Sequence, residues 1–132
     1  MKLFAGRYKH EKKTVGNTLK NAIEGIKYTY NSEINLRIHI LAAVIVLVAG
    51  IILEISLIEW IICILLIGLV IAFELINTVV EVVVDLVEPK YNPLAKIAKD
   101  TSSGAVLVIA VSSAIIGLII LLPKALMYID LM

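Results

Sequence analysis

The chain has 132 residues, of which 61% are hydrophobic and only 17% are charged, and its formal net charge is +1. This composition is typical of a membrane protein and excludes an ordinary soluble domain. Because Lys and Arg are barely in excess, no basic surface can neutralise phosphates along a nucleic acid, so we expect no nucleic-acid partner.

The N-terminal part of the chain is basic, since eight of the twelve Lys and Arg precede residue 38. It lacks an early apolar stretch with a small-residue cleavage site, so we expect no removable signal peptide. Over residues 14–31, apolar side chains recur every three or four positions, which predicts an amphipathic helix on the inner membrane surface with Thr14 as its cap. These side chains are Val15, Leu19, Ala22, Ile23, Ile26 and Tyr30.

Three apolar segments follow, at about 36–53, 57–88 and 93–122, and each is long enough to span a hydrocarbon core of ~30 Å. The first link between them contains Glu54 and Glu59 but no Lys or Arg, whereas Lys90, Lys96 and Lys99 lie in or just after the second link. The positive-inside rule therefore places the N-terminus and the second link in the cytoplasm.

Local signals complete this outline of the helices. Asn92 as cap and Pro93 as first helical residue predict where the third span begins. Cys63 lies within an apolar run, which indicates a packing residue. His10 and His39 have no partner at metal-ligand spacing, so we assign the first to the basic arm and the second to the membrane interface, without a catalytic role for either.

A polar face occupies the inner half of the second span, in the sequence "ELINTVVEVVVD". On a helix, Glu74, Asn77, Glu81 and Asp85 fall within an arc of roughly 80°, whereas a strand would divide them between two faces. If Trp60 marks the outer interface, Glu74 lies about 21 Å further in. A carboxylate at that depth is a functional candidate. Alternatively, Glu81 and Asp85 are a solvated helix end and Glu74 pairs with a neighbouring helix.

The third span begins with a polar face of its own, which covers an arc of about 100°. Its members are Lys96, Lys99, Asp100 and Ser103. Acids on one helix and lysines on the next suit a polyphosphate with Mg²⁺, because carboxylates bind the metal and ammonium groups neutralise the remaining charge. Glu33 and Arg37 lie at a comparable depth. Alternatively, Lys96 and Lys99 bind lipid headgroups.

The pattern Glu74-x-x-Asn77-Thr78-x-x-Glu81-x-x-x-Asp85, followed by "YNPLAKIAKD" and "SSGAVLV", resembles the signature of the small prokaryotic diacylglycerol kinase and undecaprenol kinase family. The resemblance covers roughly residues 17–123. It implies an all-α integral protein of the bacterial cell membrane, a homotrimer with three transmembrane helices and an amphipathic surface helix per chain. Such proteins phosphorylate a lipid alcohol with ATP and Mg²⁺ at sites shared between subunits.

The resemblance also implies a role for individual residues. Glu74 matches the general base. The carboxylates that hold the metal match Glu33 and Glu81. The side chains that contact the nucleotide or line its site match Asn77, Asp85, Lys99 and Asp100.

The lipid substrate is the less specific part of the resemblance. "LRIHILAA" with "ELINT" and "NPLAK" looks more like the Gram-positive undecaprenol kinase branch, which favours undecaprenol and its product undecaprenyl phosphate. Ile97, where that branch often has an acidic residue, and "TSSG" depart from the pattern and leave diacylglycerol, with phosphatidic acid as product, as the alternative within the family.

Two other classes of protein compete with a kinase. Acids within membrane helices also occur in ion channels and proton-coupled transporters. Against this class, the acids lead out into the cytoplasm and the outer half of every span is free of charge. A structural or assembly subunit is the third class, and it leaves the matching acidic and basic faces unexplained.

Overall fold

The computed structural model of the chain describes residues 14–130, so His10 and the basic residues before Thr14 lie outside the described residues. The described part contains four helices: α1 (Val15–Ser32), α2 (Ile34–Ile52), α3 (Leu57–Val87) and α4 (Pro93–Asp130). Within it, α2, α3 and α4 are each long and apolar enough to cross a membrane. The prediction of an all-α protein with three membrane-length helices is therefore confirmed.

Two of the helices begin at the predicted signals. At the start of α1, the Thr14 side chain accepts a hydrogen bond from the backbone nitrogen of Asn17 at 3.3 Å. At the start of α4, Asn92 Oδ1 accepts from the backbone nitrogen of Leu94 at 2.9 Å, and Pro93 is the first helical residue. Each side chain satisfies a backbone donor that the first helical turn leaves without a partner.

The start of α3 has a capping box that ties it to the end of α4. The backbone nitrogen of Ser56 donates to Glu59 Oε2 at 2.7 Å, and that of Glu59 donates to Ser56 Oγ at 3.4 Å. Lys124 Nζ on α4 lies 3.2 Å from the same Glu59 oxygen. Because this contact joins the first turn of α3 to the last part of α4, the two helices form an antiparallel hairpin.

The apolar core lies at the same end of the hairpin. Ile55, Cys63 and Ile120 form a buried cluster against which Trp60 packs, which agrees with the expectation that Cys63 is a packing residue. The Trp60 ring also covers Gly50 on α2, where a Cβ would lie 2.8 Å from ring atom Cη2. Glycine therefore allows α2 to approach the start of α3.

The ends of the helices determine where the polar residues lie. Glu33 is a single extended residue between α1 and α2, in the short interval between the predicted surface helix and the predicted first span. The apolar span was predicted to end at about residue 122, whereas α4 continues through Pro123 to Asp130. With 31 and 38 residues, α3 and α4 are longer than the ~20 residues that cross a hydrocarbon core. Polar turns therefore extend beyond the apolar zone.

The close contact at Gly50 leads to a test of the packing. We expect Gly50→Ala to lower the thermal midpoint of unfolding in detergent, because overpacking costs about 1–3 kcal/mol. Gly25→Ala is the matched control, since no atom lies within 4 Å of its added Cβ and alanine favours a helix by up to ~1 kcal/mol. Equal shifts of the midpoint in the two variants would show that the contact is absent.

Candidate active site

The most deeply buried acid in the described part of the chain is Glu74, in the middle of α3. Its exposed fraction is only 2%. Oxygen Oε1 lies 3.2 Å from Nε2 of His39, which belongs to α2. One turn later, the Thr78 hydroxyl donates to the Glu74 backbone oxygen at 3.2 Å, so it occupies a backbone acceptor and leaves the carboxylate free. The one described polar partner of the buried carboxylate is therefore His39.

Asn77 and Glu81 continue the same face of α3. Asn77 Nδ2 donates to Glu81 Oε1 at 3.1 Å, which orients the amide. Asn77 Oδ1 is buried and has no hydrogen-bond partner among the described residues. Because an unpaired buried acceptor is unfavourable, this oxygen is available to a ligand.

Two neighbouring cavities meet beside Glu74. The first, of about 210 Å³ and called the polar cavity here because it is the more polar of the two, includes Asn35, Glu74, Asn77 and Ser103 in its lining. The second, of about 260 Å³, lies between α2, α3 and α4 and is almost entirely apolar. His39 and Ala110 line both cavities. The arrangement therefore brings a carboxylate and an amide next to a space suited to hydrocarbon.

The next acid along α3 pairs with a lysine of α4. Lys99 Nζ lies 2.5 Å from Asp85 Oδ1, so the predicted acidic and basic faces do meet. Asp100 instead pairs with Lys96 within α4. The pair of Lys96 with Asp100 is exposed, and Asp85 is exposed in its pair with the half-buried Lys99. Exposed pairs contribute at most about 1 kcal/mol to stability. Either pair can therefore open at little cost when a phosphate competes for the lysine.

The predicted metal-binding carboxylates lie near this region. Glu33 is half-buried at the corner between α1 and α2, and its side chain does not cap α2. Glu33 and Glu81 both lie within electrostatic reach of Glu74. Among residues 14–130, no three His, Cys, Asp or Glu side chains form a ready metal cluster. Carboxylate oxygens are the ligand type that Mg²⁺ takes, and this ion usually binds through one or two carboxylates together with waters and a substrate's phosphates.

Three residues of this region were not among the site residues predicted from the sequence. His39, expected at the interface without a catalytic role, contacts the buried acid. Asn35 and Ser103 line the polar cavity, and Ser103 had been placed on a polar face only. Asn35 and His39 are four residues apart at the start of α2, which is apolar after them, and this spacing places both side chains on one face. That spacing is the signal that would have found them.

Comparison with known proteins adds an independent observation. The model of the family described as "Prokaryotic diacylglycerol kinase" matches residues 20–121. The undecaprenol kinase of Bacillus subtilis is 51% identical over 104 residues, which cover 79% of this chain and 85% of that protein. The diacylglycerol kinase of Synechocystis sp. is 40% identical over 110 residues, 83% of this chain and 63% of that protein.

Proposed function

The chain belongs to the prokaryotic diacylglycerol kinase family, and from this membership we propose that it transfers the γ-phosphoryl group of ATP to the hydroxyl of undecaprenol, giving undecaprenyl phosphate. The observation that carries the proposal is the buried Glu74 carboxylate, which lines the polar cavity and contacts His39, a residue that lines both the polar and the apolar cavity. A lipid alcohol has these two parts, a reactive hydroxyl and a hydrocarbon chain.

Similarity favours undecaprenol over diacylglycerol as the acceptor. The relative named undecaprenol kinase is more similar, and the match covers 85% of its length. The relative named diacylglycerol kinase is 40% identical, and the match covers 63% of its length. Diacylglycerol, with phosphatidic acid as the product, is the alternative within the family.

The apolar cavity provides a place for the lipid chain near the reacting group. Side chains from three helices line it, among them Ala42 of α2, Leu66 and Val70 of α3, and Ala114 of α4. Hydrocarbon bound there would leave a terminal hydroxyl close to His39 and Ala110, where the polar cavity begins. The surrounding membrane accommodates the remainder of a long chain.

In this proposal, Glu74 is the general base. Its carboxylate lines the polar cavity and accepts the proton of the lipid hydroxyl as the oxygen attacks phosphorus. Positioning and charge neutralisation supply most of the rate enhancement in phosphoryl transfer. A base held in one place therefore contributes through its geometry as well as its basicity.

The nucleotide would bind towards the polar end of α3 and the beginning of α4. Lys99 would exchange Asp85 for a phosphate oxygen, because the exposed Asp85 carboxylate can be hydrated when the ion pair opens. Asp85 would then be free to accept a hydrogen bond from the nucleotide. Asp100 would be free to do so once its exposed pair with Lys96 opens, and Asn77 Oδ1 would gain a partner. Each of these changes replaces a weak contact within the chain by a contact with the substrate.

Glu33 and Glu81 are the residues that would hold Mg²⁺. When bound, the ion neutralises charge on the phosphate oxygens and orients the phosphates. The two carboxylates approach from different elements, the α1–α2 corner and α3, so both can face one ligand. Asn77 orients Glu81 through the hydrogen bond to its Oε1.

We propose that the site and the N-terminus face the cytoplasm and that α1 lies on the inner membrane surface. The positive-inside rule supports this orientation, because the lysines of the second link lie at the same end as the site. On α1, Val15 and Leu19 are 88% and 62% exposed. Apolar side chains exposed on a helix that also carries Lys20 and Lys27 suit a membrane interface.

We also propose a homotrimer in which neighbouring subunits share sites. The resemblance to the family supports it, and so does α2, of which only 11% of the most apolar window is buried within one chain. Native mass spectrometry of the protein in detergent should give the mass of three chains. A chain that is fully active at the mass of a monomer would contradict the shared site.

The substrate is tested with radiolabelled ATP. Detergent-solubilised protein is incubated separately with undecaprenol and with diacylglycerol, and lipids are extracted into organic solvent. We expect label in the extract when both Mg²⁺ and undecaprenol are present. The kcat/KM for diacylglycerol should be lower than that for undecaprenol. Preferential labelling of diacylglycerol would reverse the order of substrates, and an unlabelled extract in every reaction would refute the kinase.

The base is tested by Glu74→Gln, which keeps the size of the side chain but removes its charge. We expect kcat to fall by about 10²–10⁴-fold, the usual contribution of a general base, while ATP binding measured by calorimetry is retained. Glu54→Gln is the matched control, since Glu54 lies in the link at the opposite end of α3. Near-normal turnover of Glu74→Gln would show that another group takes the proton.

A further inference from the structure

His39 is in direct contact with the proposed base, yet the proposed function gives it no role in the reaction. It lies in the second turn of α2, and its Nε2 is 3.2 Å from Glu74 Oε1 on α3. A neutral imidazole with its proton on Nε2 donates one hydrogen bond to a carboxylate at this distance. The side chain is partly exposed, at 23%, whereas that of Glu74 is buried.

His39 also lies near the proposed positions of both parts of a lipid alcohol, the hydroxyl and the hydrocarbon chain. Its side chain lines the polar cavity together with Glu74 and also lines the apolar cavity between α2, α3 and α4. A hydroxyl that passes from one cavity to the other must approach this imidazole. His39 is therefore placed to act on the base at the point where the acceptor arrives.

Stability alone does not account for the pair. A buried ionic or polar pair contributes little net stability, and well-packed apolar side chains in its place are often neutral or stabilising. α2, α3 and α4 are rich in such apolar side chains elsewhere. The buried pair is better explained by a requirement for a carboxylate in one fixed orientation.

We propose that His39 is a positioning residue for lipid phosphorylation, which holds one oxygen of Glu74 and leaves the other free to accept the proton of the lipid hydroxyl. This inference rests on the proposed function. In the step, the hydroxyl oxygen forms a bond to the γ-phosphorus, and its proton passes to Glu74 Oε2. The bond from the γ-phosphorus to the bridging oxygen breaks, and its electron pair leaves with ADP. His39 keeps its Nε2 proton throughout.

The consequence is specific to the chemical step. Without the hydrogen bond, Glu74 can rotate about its side-chain bonds, and misplacement of a reacting group by about 1 Å costs on the order of 100-fold in rate. Nucleotide binding should not change, because its proposed contacts are elsewhere: Asp85 lies three helical turns beyond Glu74 on α3, and Lys99 lies on α4. A positioning role therefore predicts a change in kcat with little change in the KM for ATP.

The test compares two substitutions of the same residue. His39→Gln places an amide N–H near the position of Nε2, whereas His39→Leu has a similar bulk and no donor. With undecaprenol as acceptor, we expect kcat to fall about 100-fold in His39→Leu and to stay within about tenfold of wild type in His39→Gln. The KM for ATP should stay within about twofold in both. Ile38→Leu, at the exposed neighbour of His39, is the matched control.

Three outcomes would overturn the role of His39. They are normal kcat in His39→Leu, equal loss of kcat in both variants, and a loss that appears mainly in the KM for ATP. If His39→Leu does not fold, His39→Asn replaces it, because its amide is too short to reach Glu74 and should also lose kcat. The wild-type reaction separates the proposed kinase activity from the proposed role of His39. If wild type labels no lipid, the kinase activity is refuted. If wild type is active and His39→Leu is equally active, only the positioning role of His39 is refuted.

Discussion

A carboxylate buried in a membrane-length helix is the constraint on which the rest of this structure depends. Transfer of a charge into hydrocarbon is costly unless the charge is paired or hydrated. Here Glu74 on α3 is enclosed between helices, and its partner is His39 on α2. The two helices can provide this contact in only one relative rotation. That rotation also places Ala42 of α2 and Val70 of α3 in the lining of the apolar cavity between the helices.

The geometry addresses a general difficulty of lipid chemistry, which is to join an apolar acceptor to a highly charged donor. Along α3, burial decreases from Glu74 through Glu81 to Asp85. The apolar cavity lies on one side of Glu74, and the ion pair between Asp85 and Lys99 lies on the other. In the proposed reaction, the lipid can therefore remain in the apolar environment and the nucleotide in water, and the two substrates meet only at the buried carboxylate.

The local features of the fold were predictable from sequence, whereas contacts between helices were not. Thr14, Asn92 and Pro93 start helices through groups close to them in the chain, so their pattern is sufficient. The His39–Glu74 contact depends on how α2 is rotated against α3, which no local pattern specifies. The predicted apolar span ends at about residue 122, and the helix α4 continues through Pro123, a residue type that membrane helices tolerate.

The central claim is that the lipid hydroxyl lies beside Glu74, at the boundary of the two cavities. The most direct measurement is photo-crosslinking with a polyprenol that carries a diazirine next to its hydroxyl, followed by mass spectrometry of the labelled peptides. The account predicts labelling at residues that line both cavities, His39 and Ala110, and its loss when unmodified undecaprenol competes. Labelling confined to exposed residues of the spans, such as Ile61 and Ile119, would contradict it.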